Sequence, residues 1–258
     1  MLHDICAATG AFVLNFCQVT GQMMLLFIDT LKKLKHASIR ETLRQMALLG
    51  ADSLPIVLLT MLCTGMVFSV QTAKEFVALG ASNTVGGIVA IAMGRELVPV
   101  LTGVVVAGRI GAAIAAELGT MKVTEQIDAL RVMATSPVQY LVAPRFIAIS
   151  LMMPMLIVFG NFIGNAGGYF VAHYYADIGS YTYLNSIKRF CEMYDVVGGM
   201  IKGVAFGAII SIVGCFKGLH ADKGAEGVGL ATTASVVLSI ILIFIADYFM
   251  TVLLYVDK

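Results

Sequence analysis

The stretch Phe146-Ile-Ala-Ile-Ser-Leu-Met-Met-Pro-Met-Leu-Ile-Val-Phe-Gly-Asn-Phe-Ile-Gly-Asn-Ala-Gly-Gly-Tyr-Phe-Val-Ala172 contains no charged residue. A helix needs about 20 apolar residues to cross a hydrocarbon core of about 30 Å, so this segment is long enough to span a membrane. Four other segments resemble it: about 52–71, which opens on Pro55, a good first-turn residue; 84–108; 196–216; and 228–247, closed by Asp247. Composition agrees with that reading. Of 258 residues, 59% are hydrophobic and 13% charged, against about 45–50% and about 25% in a soluble domain. A globule this apolar could not cover its own surface with polar groups. The expected fold is an all-α integral membrane protein with five transmembrane helices. A net charge of +1 supplies no basic field, so no nucleic-acid partner is expected. Five scattered cysteines without a CxxC pair point away from disulfides and metal cages.

Residues 1–50 read differently. Ala11 to Ile28 is uncharged but interrupted by Asn15, Gln18, Thr20, Gly21 and Gln22, and Lys32, Lys33, Lys35, Arg40 and Arg44 follow. The expectation is an N-terminal amphipathic helix in the membrane interface, preceding a membrane domain over 51–258; a sixth span is the alternative. Basic residues then orient the chain. The N-terminal region holds five, the 109–145 connection four and the 217–227 connection two, against four on the opposite side. By the positive-inside rule the first three segments are cytoplasmic.

Two features carry functional expectations. Arg95 and Glu96 fall inside the second span and Lys202 inside the fourth. A charge at the bilayer centre costs about 2.5–3.5 kcal/mol, so such groups face a partner or a wet cavity. A Glu96–Lys202 pair between the two spans is expected. By contrast, Glu192 and Asp195 flank Tyr194 in an outer loop and read as a solvated acidic surface. The second feature is the 109–137 segment. Thr124 reads as an N-cap with Glu125 in the first turn, and Ile127, Leu130 and Met133 follow in a row before Ser136-Pro137 stops the helix. This describes a short amphipathic helix lying under the bundle, suited to docking a cytoplasmic partner.

The run Arg95-Glu-Leu-Val-Pro-Val100, the block from Ala107 to Leu130, Ser136-Pro137 with Ala143-Pro144-Arg145-Phe146, and Gly224 to Val237 closely resemble the MlaE-type permeases, membrane subunits of phospholipid-moving ABC transporters. The resemblance covers about residues 45–257. It implies a homodimer, a separate cytoplasmic ABC ATPase, an MCE-domain protein on the outer face and a STAS-domain accessory protein. The cargo it implies is phospholipid, exchanged between membranes to maintain lipid asymmetry. The family's coupling helix falls on the docking segment, which makes Arg109, Glu117, Gly119, Met121, Thr124, Glu125, Gln126 and Asp128 the coupling candidates. Arg95, Glu96 and Lys202 would surround a lipid cavity at the dimer centre, with Val67, Val70 and Phe76 as apolar lining.

The chain has no G-x-x-x-x-G-K-[ST] loop, so ATP is expected to act through the partner, with no cofactor or metal held by this chain and no catalysis of its own. The expected location is the cell inner membrane, with a plastid inner envelope second because no Arg- and Ser-rich transit segment appears. Two other classes stand as alternatives: an ion-coupled secondary transporter, which would bring inverted repeats, and a membrane-embedded lipid-modifying enzyme, which would need a nucleophile, metal cluster or acid–base pair at membrane depth.

Overall fold

The computed structural model describes residues 2–255, with side chains described at Leu14 and from Cys17 onward. Every regular element among the described residues is helical: α1 (Leu2–Lys33), α2 (Ile39–Gln45), α3 (Leu54–Ala78), α4 (Val85–Ala92), α5 (Val98–Val106), α6 (Ala112–Val123), α7 (Gln126–Val132), α8 (Ala143–Tyr174), α9 (Ser180–Phe190), α10 (Met193–Leu219) and α11 (Gly224–Tyr255). Short helical turns fuse several of these into five helices long and apolar enough to cross a membrane: Ile39–Ala78, Ser82–Val123, Val138–Tyr174, Met193–Leu219 and Gly224–Tyr255. The protein is an all-α multi-pass membrane protein.

Helix ends differ from the sequence expectation where charge was used to set them. The second helix does not stop at Gly108. It runs through Arg109 to Val123, because the alanine-rich run Ala112-Ala-Ile-Ala-Ala116 favours helix and no proline interrupts it. The fifth continues past Asp247 to Tyr255. The first begins at Ile39, so Arg40 and Arg44 belong to its leading turns rather than to a separate surface helix. α1 is one 32-residue helix, with Met23, Leu26 and Phe27 packed against the core.

The second helix is the irregular one. Its α-helical pieces are joined by wider π-helical turns at Met93–Leu97 and Ala107–Gly111. The first of these has an identifiable cause. Pro99 has no N–H, so the Arg95 carbonyl four residues earlier loses its helical donor.

The core centres on α8, which packs against α3 on one side and α10 on another, while α10 also meets α6 and α11. Small residues make this possible. A Cβ built on Gly65 of α3 would strike the Gly164 carbonyl of α8, so the two backbones touch there. One turn further, Ser69 Oγ donates to the Gly168 carbonyl at 2.8 Å. A Cβ at Gly199 of α10 would meet the Gly94 carbonyl at 2.5 Å, which holds α10 against the first π-turn.

Candidate functional site

At that contact, charged groups from three membrane helices meet. Lys202, on α10, is fully buried. Its three ammonium hydrogens go to Glu96 Oε2 at 2.8 Å, Thr251 Oγ1 at 2.7 Å and the Arg95 carbonyl at 3.0 Å. The last is the carbonyl that Pro99 leaves without a helical donor, so a side chain of one helix completes the backbone bonding of another. Asp247 Oδ1 stands 2.8 Å from the same ammonium as a charge partner, and Thr251 Oγ1 donates to Glu96 Oε1 at 3.0 Å. Beside this group, Arg95 Nε donates to Asp195 Oδ1 at 2.7 Å, and its guanidinium carbon lies 4.8 Å above the Tyr255 ring. The expected Glu96–Lys202 pair is therefore present.

The reading of Asp195 as surface is corrected. Its side chain is 1% exposed. One oxygen takes Arg95, and the other accepts the Glu192 N–H at 2.9 Å, closing a capping box at the start of α10. Exposure is uneven across the cluster. Lys202 and Asp195 are sealed, while the Arg95 side chain remains 29% and the Glu96 side chain 39% exposed. Arg95 spends only its Nε–H on Asp195, and the four N–H groups of its terminal fork have no hydrogen-bond acceptor among the described residues.

The segment expected to dock a partner divides in two. Arg109, Glu117, Gly119 and Met121 lie on the second membrane helix and its extension, and they bind the bundle together. Arg109 Nη1 donates to Ser53 Oγ at 2.6 Å. Glu117 accepts from buried Arg145 of α8 at 2.8 Å. Gly119 lies under Ala221 and Val228, which a Cβ would approach to 3.3 Å, and Met121 packs against the core. Thr124, Glu125, Gln126 and Asp128 are all exposed. Thr124 is not an N-cap: its hydroxyl donates to the Thr120 carbonyl at 2.8 Å and ends α6. Glu125 holds the N-cap position of α7 instead, with left-handed backbone at φ 60° and no side-chain cap bond. Of the expected apolar row only Ile127 is buried; Leu130 is half-buried, and Met133 is exposed next to Val132, which is 88% exposed.

The family model described as Permease MlaE matches residues 42–253. The chain belongs to the MlaE permease family. Similar proteins include a probable ABC transporter permease protein of Synechocystis sp., 46% identical over 84% of this chain and 82% of its own. A probable ABC transporter permease protein of Rickettsia typhi is 42% identical over 99% of both chains. The chloroplastic protein TRIGALACTOSYLDIACYLGLYCEROL 1 of Arabidopsis thaliana is 44% identical over 81% of this chain and 60% of its own. This MlaE permease is thus the membrane-spanning, transporting component of an ABC system rather than its hydrolase, and such a component implies a cytoplasmic ATPase partner.

The apolar residues expected to line a cavity are not all together in this MlaE permease. Val67 is exposed and lines a cavity of about 320 Å3 with Cys63, Thr64, Phe68, Gln71 and Leu97. Val70 is half-buried off that wall, and Phe76 packs into the core. Leu97, next in sequence to Glu96, is the link between this apolar groove and the charge cluster. Sequence reasoning missed Asp195, Asp247, Thr251 and Tyr255 as cluster members. For Asp247 a signal existed, since a carboxylate inside an apolar helix calls for a cation as Lys202 calls for an anion. Beyond the membrane helices, burial and then the neighbouring Asp195 push the Cys191 thiol above its ordinary value, against a smaller lowering by Arg95. Burial alone pushes the Tyr183 phenol well up.

Proposed function

We propose that this permease moves phospholipids between membranes, as one of two identical subunits driven by an ATPase bound on the cytoplasmic face. The half-open charge cluster carries this reading. A partly exposed guanidinium and carboxylate at membrane depth are costly against lipid tails alone. The free fork of Arg95 matches a phosphodiester, which a guanidinium can hold through two parallel bonds. The apolar groove at Val67 and Leu97 suits an acyl chain. A relative named for a galactolipid, trigalactosyldiacylglycerol, supports a glycerolipid cargo. Thr124, Glu125, Gln126 and Asp128, with Val132 and Met133, form the face on which the ATPase docks. Arg109, Glu117, Gly119 and Met121 transmit its movement into the bundle. An MCE-domain protein covers the outer end, a STAS-domain protein attends the ATPase, and the membrane is the bacterial inner membrane, a reading supported by bacterial relatives named as ABC transporter permeases along almost the whole chain.

The test is ATP-dependent transfer of fluorescent phospholipid in proteoliposomes holding the whole complex. Arg95→Ala should cut transfer about tenfold or more while basal ATP hydrolysis persists, the loss of one charge-assisted bidentate contact being worth about 1.5–3 kcal/mol. Transfer that proceeds without ATP, or is unchanged in the variant, overturns the proposal.

A further inference from the structure

A second cavity, of about 300 Å3, lies where the chain between α1 and α2 meets the chain between α7 and α8. Its wall includes His36, Ser38, Thr135, Ser136, Gln139 and Tyr140. Each of these side chains can donate a hydrogen bond, and no lining residue is acidic. Behind that wall Lys33 Nζ of α1 donates to Ser136 Oγ at 2.9 Å and to Asp29 Oδ2 at 2.8 Å. Gln139 Nε2 ties the two walls together by donating to the His36 carbonyl at 3.2 Å. Lys32, Lys35 and Arg40 flank the opening in sequence, all exposed and none in an ion pair among the described residues.

The backbone is held in an unusual state here. Ala134, also on the wall, has φ 56°. It ends α7 through bonds from its own N–H to the Arg131 carbonyl and from the Thr135 N–H to the Leu130 carbonyl, both 3.0 Å. Glycine is the usual residue at such a helix end, and a non-glycine residue held left-handed is a feature that clusters at ligand sites. Tyr140, 51% exposed at the rim, is the residue type that settles at headgroup depth.

We propose that this cavity seats the phosphate headgroup of an anionic glycerophospholipid of the cytoplasmic leaflet, apart from the path of the transported lipid. The side assignment rests on the topology of the proposed function. The basic residues around the opening draw anionic lipid to it, and the ring of neutral donors, with Lys33 behind it, receives the phosphate oxygens. Thr135 and Ser136 directly follow α7, so an occupied cavity fixes the anchor of the docking segment. The central charge cluster differs in kind, since three carboxylates crowd its two cations.

The experiment uses the full chain in nanodiscs of phosphatidylcholine carrying a photoreactive phosphatidylglycerol, with adducts mapped by mass spectrometry. Adducts are expected on residues 33–40 and 134–140. They should fall about fivefold for each charge altered, in Ser136→Asp and separately in Gln139→Glu. Photoreactive phosphatidylcholine should not reproduce them. Suppression by inorganic phosphate, but not by sodium chloride of equal ionic strength, identifies a soluble phosphate as the occupant. No suppression identifies the lipid headgroup. Equal labelling by both lipids, or labelling indifferent to both substitutions, overturns the site. Maleimide labelling of Val132→Cys from one side of a sealed vesicle reports the topology independently, so a failure of sidedness is read separately from a failure of the site.

Discussion

Replacing Lys202 with methionine keeps the length of the side chain and removes its charge. The structure sets what is lost. A fully buried ammonium serves Glu96, Thr251 and the Arg95 carbonyl and faces Asp247 at 2.8 Å. Without it, two carboxylates confront each other and the carbonyl released by Pro99 has no donor. Removing one member of a buried ion pair costs about 3–5 kcal/mol. A domain of this size shifts by about 2–4 °C per kcal/mol, so the unfolding midpoint in detergent should fall by about 6–20 °C. Neutralising the whole set, with Glu96→Gln and Asp247→Asn added, should recover most of that loss, because no uncompensated charge remains. The pairwise swap, Glu96→Lys with Lys202→Glu, should not recover it, because the new carboxylate at position 202 would face Asp247. Thermal unfolding followed by intrinsic fluorescence or by thiol exposure at Cys215 measures all three variants. If Lys202→Met melts within about 2 °C of the parent, or the pairwise swap restores it, the cluster does not hold the helices together as described.

Other perturbations give sharp expectations. Glu125→Lys should abolish co-purification with the ATPase without lowering the melting temperature. Glu125→Gly, which suits the left-handed backbone, separates the effect of charge from that of conformation. Ala134→Gly should raise stability by about 1 kcal/mol, seen as a melting shift of about 2–4 °C, by relieving the left-handed strain. Cys191 should react with iodoacetamide more slowly than a free cysteine peptide at neutral pH: its raised pKa leaves less thiolate there, and its rate should climb only at more alkaline pH. Gly65→Leu should prevent accumulation of folded protein, measured as loss of the monodisperse peak in detergent, because any side chain there drives into the Gly164 backbone.

The membrane helices were legible because burial in lipid imposes a length and a composition on sequence directly. The Glu96–Lys202 pair was legible for the same reason, since each charge in an apolar run demands its opposite. Where charge was used as a boundary marker it misled. Arg109 and Asp247 do not end their helices, because no proline follows closely and each charged group finds a partner: Ser53 for Arg109, Lys202 for Asp247. Asp195 was misjudged because its role depends on two contacts. One is a capping box begun by glutamate rather than the usual serine or threonine, and the other is an arginine a hundred residues earlier in sequence. Thr124 shows the local ambiguity of a short polar residue, whose hydroxyl can close the preceding helix as readily as open the next. No sequence pattern announces the left-handed turns at Glu125 and Ala134, because neither position carries glycine or asparagine.

The helical course of the second span, which continues through the π-turn at Ala107–Gly111 to its tip, has a mechanical meaning. From the π-turn at Met93–Leu97 to its tip at Val123 it extends about 40 Å, at about 1.5 Å per residue. A swing of about 10° at that turn sweeps the tip through about 7 Å, and a push of that size at the tip returns to the turn as a small rotation with magnified force. Lys202 is fastened at the fulcrum of this beam, so under the proposed coupling a modest stroke at the tip would be geared down into torque on the charges at the turn.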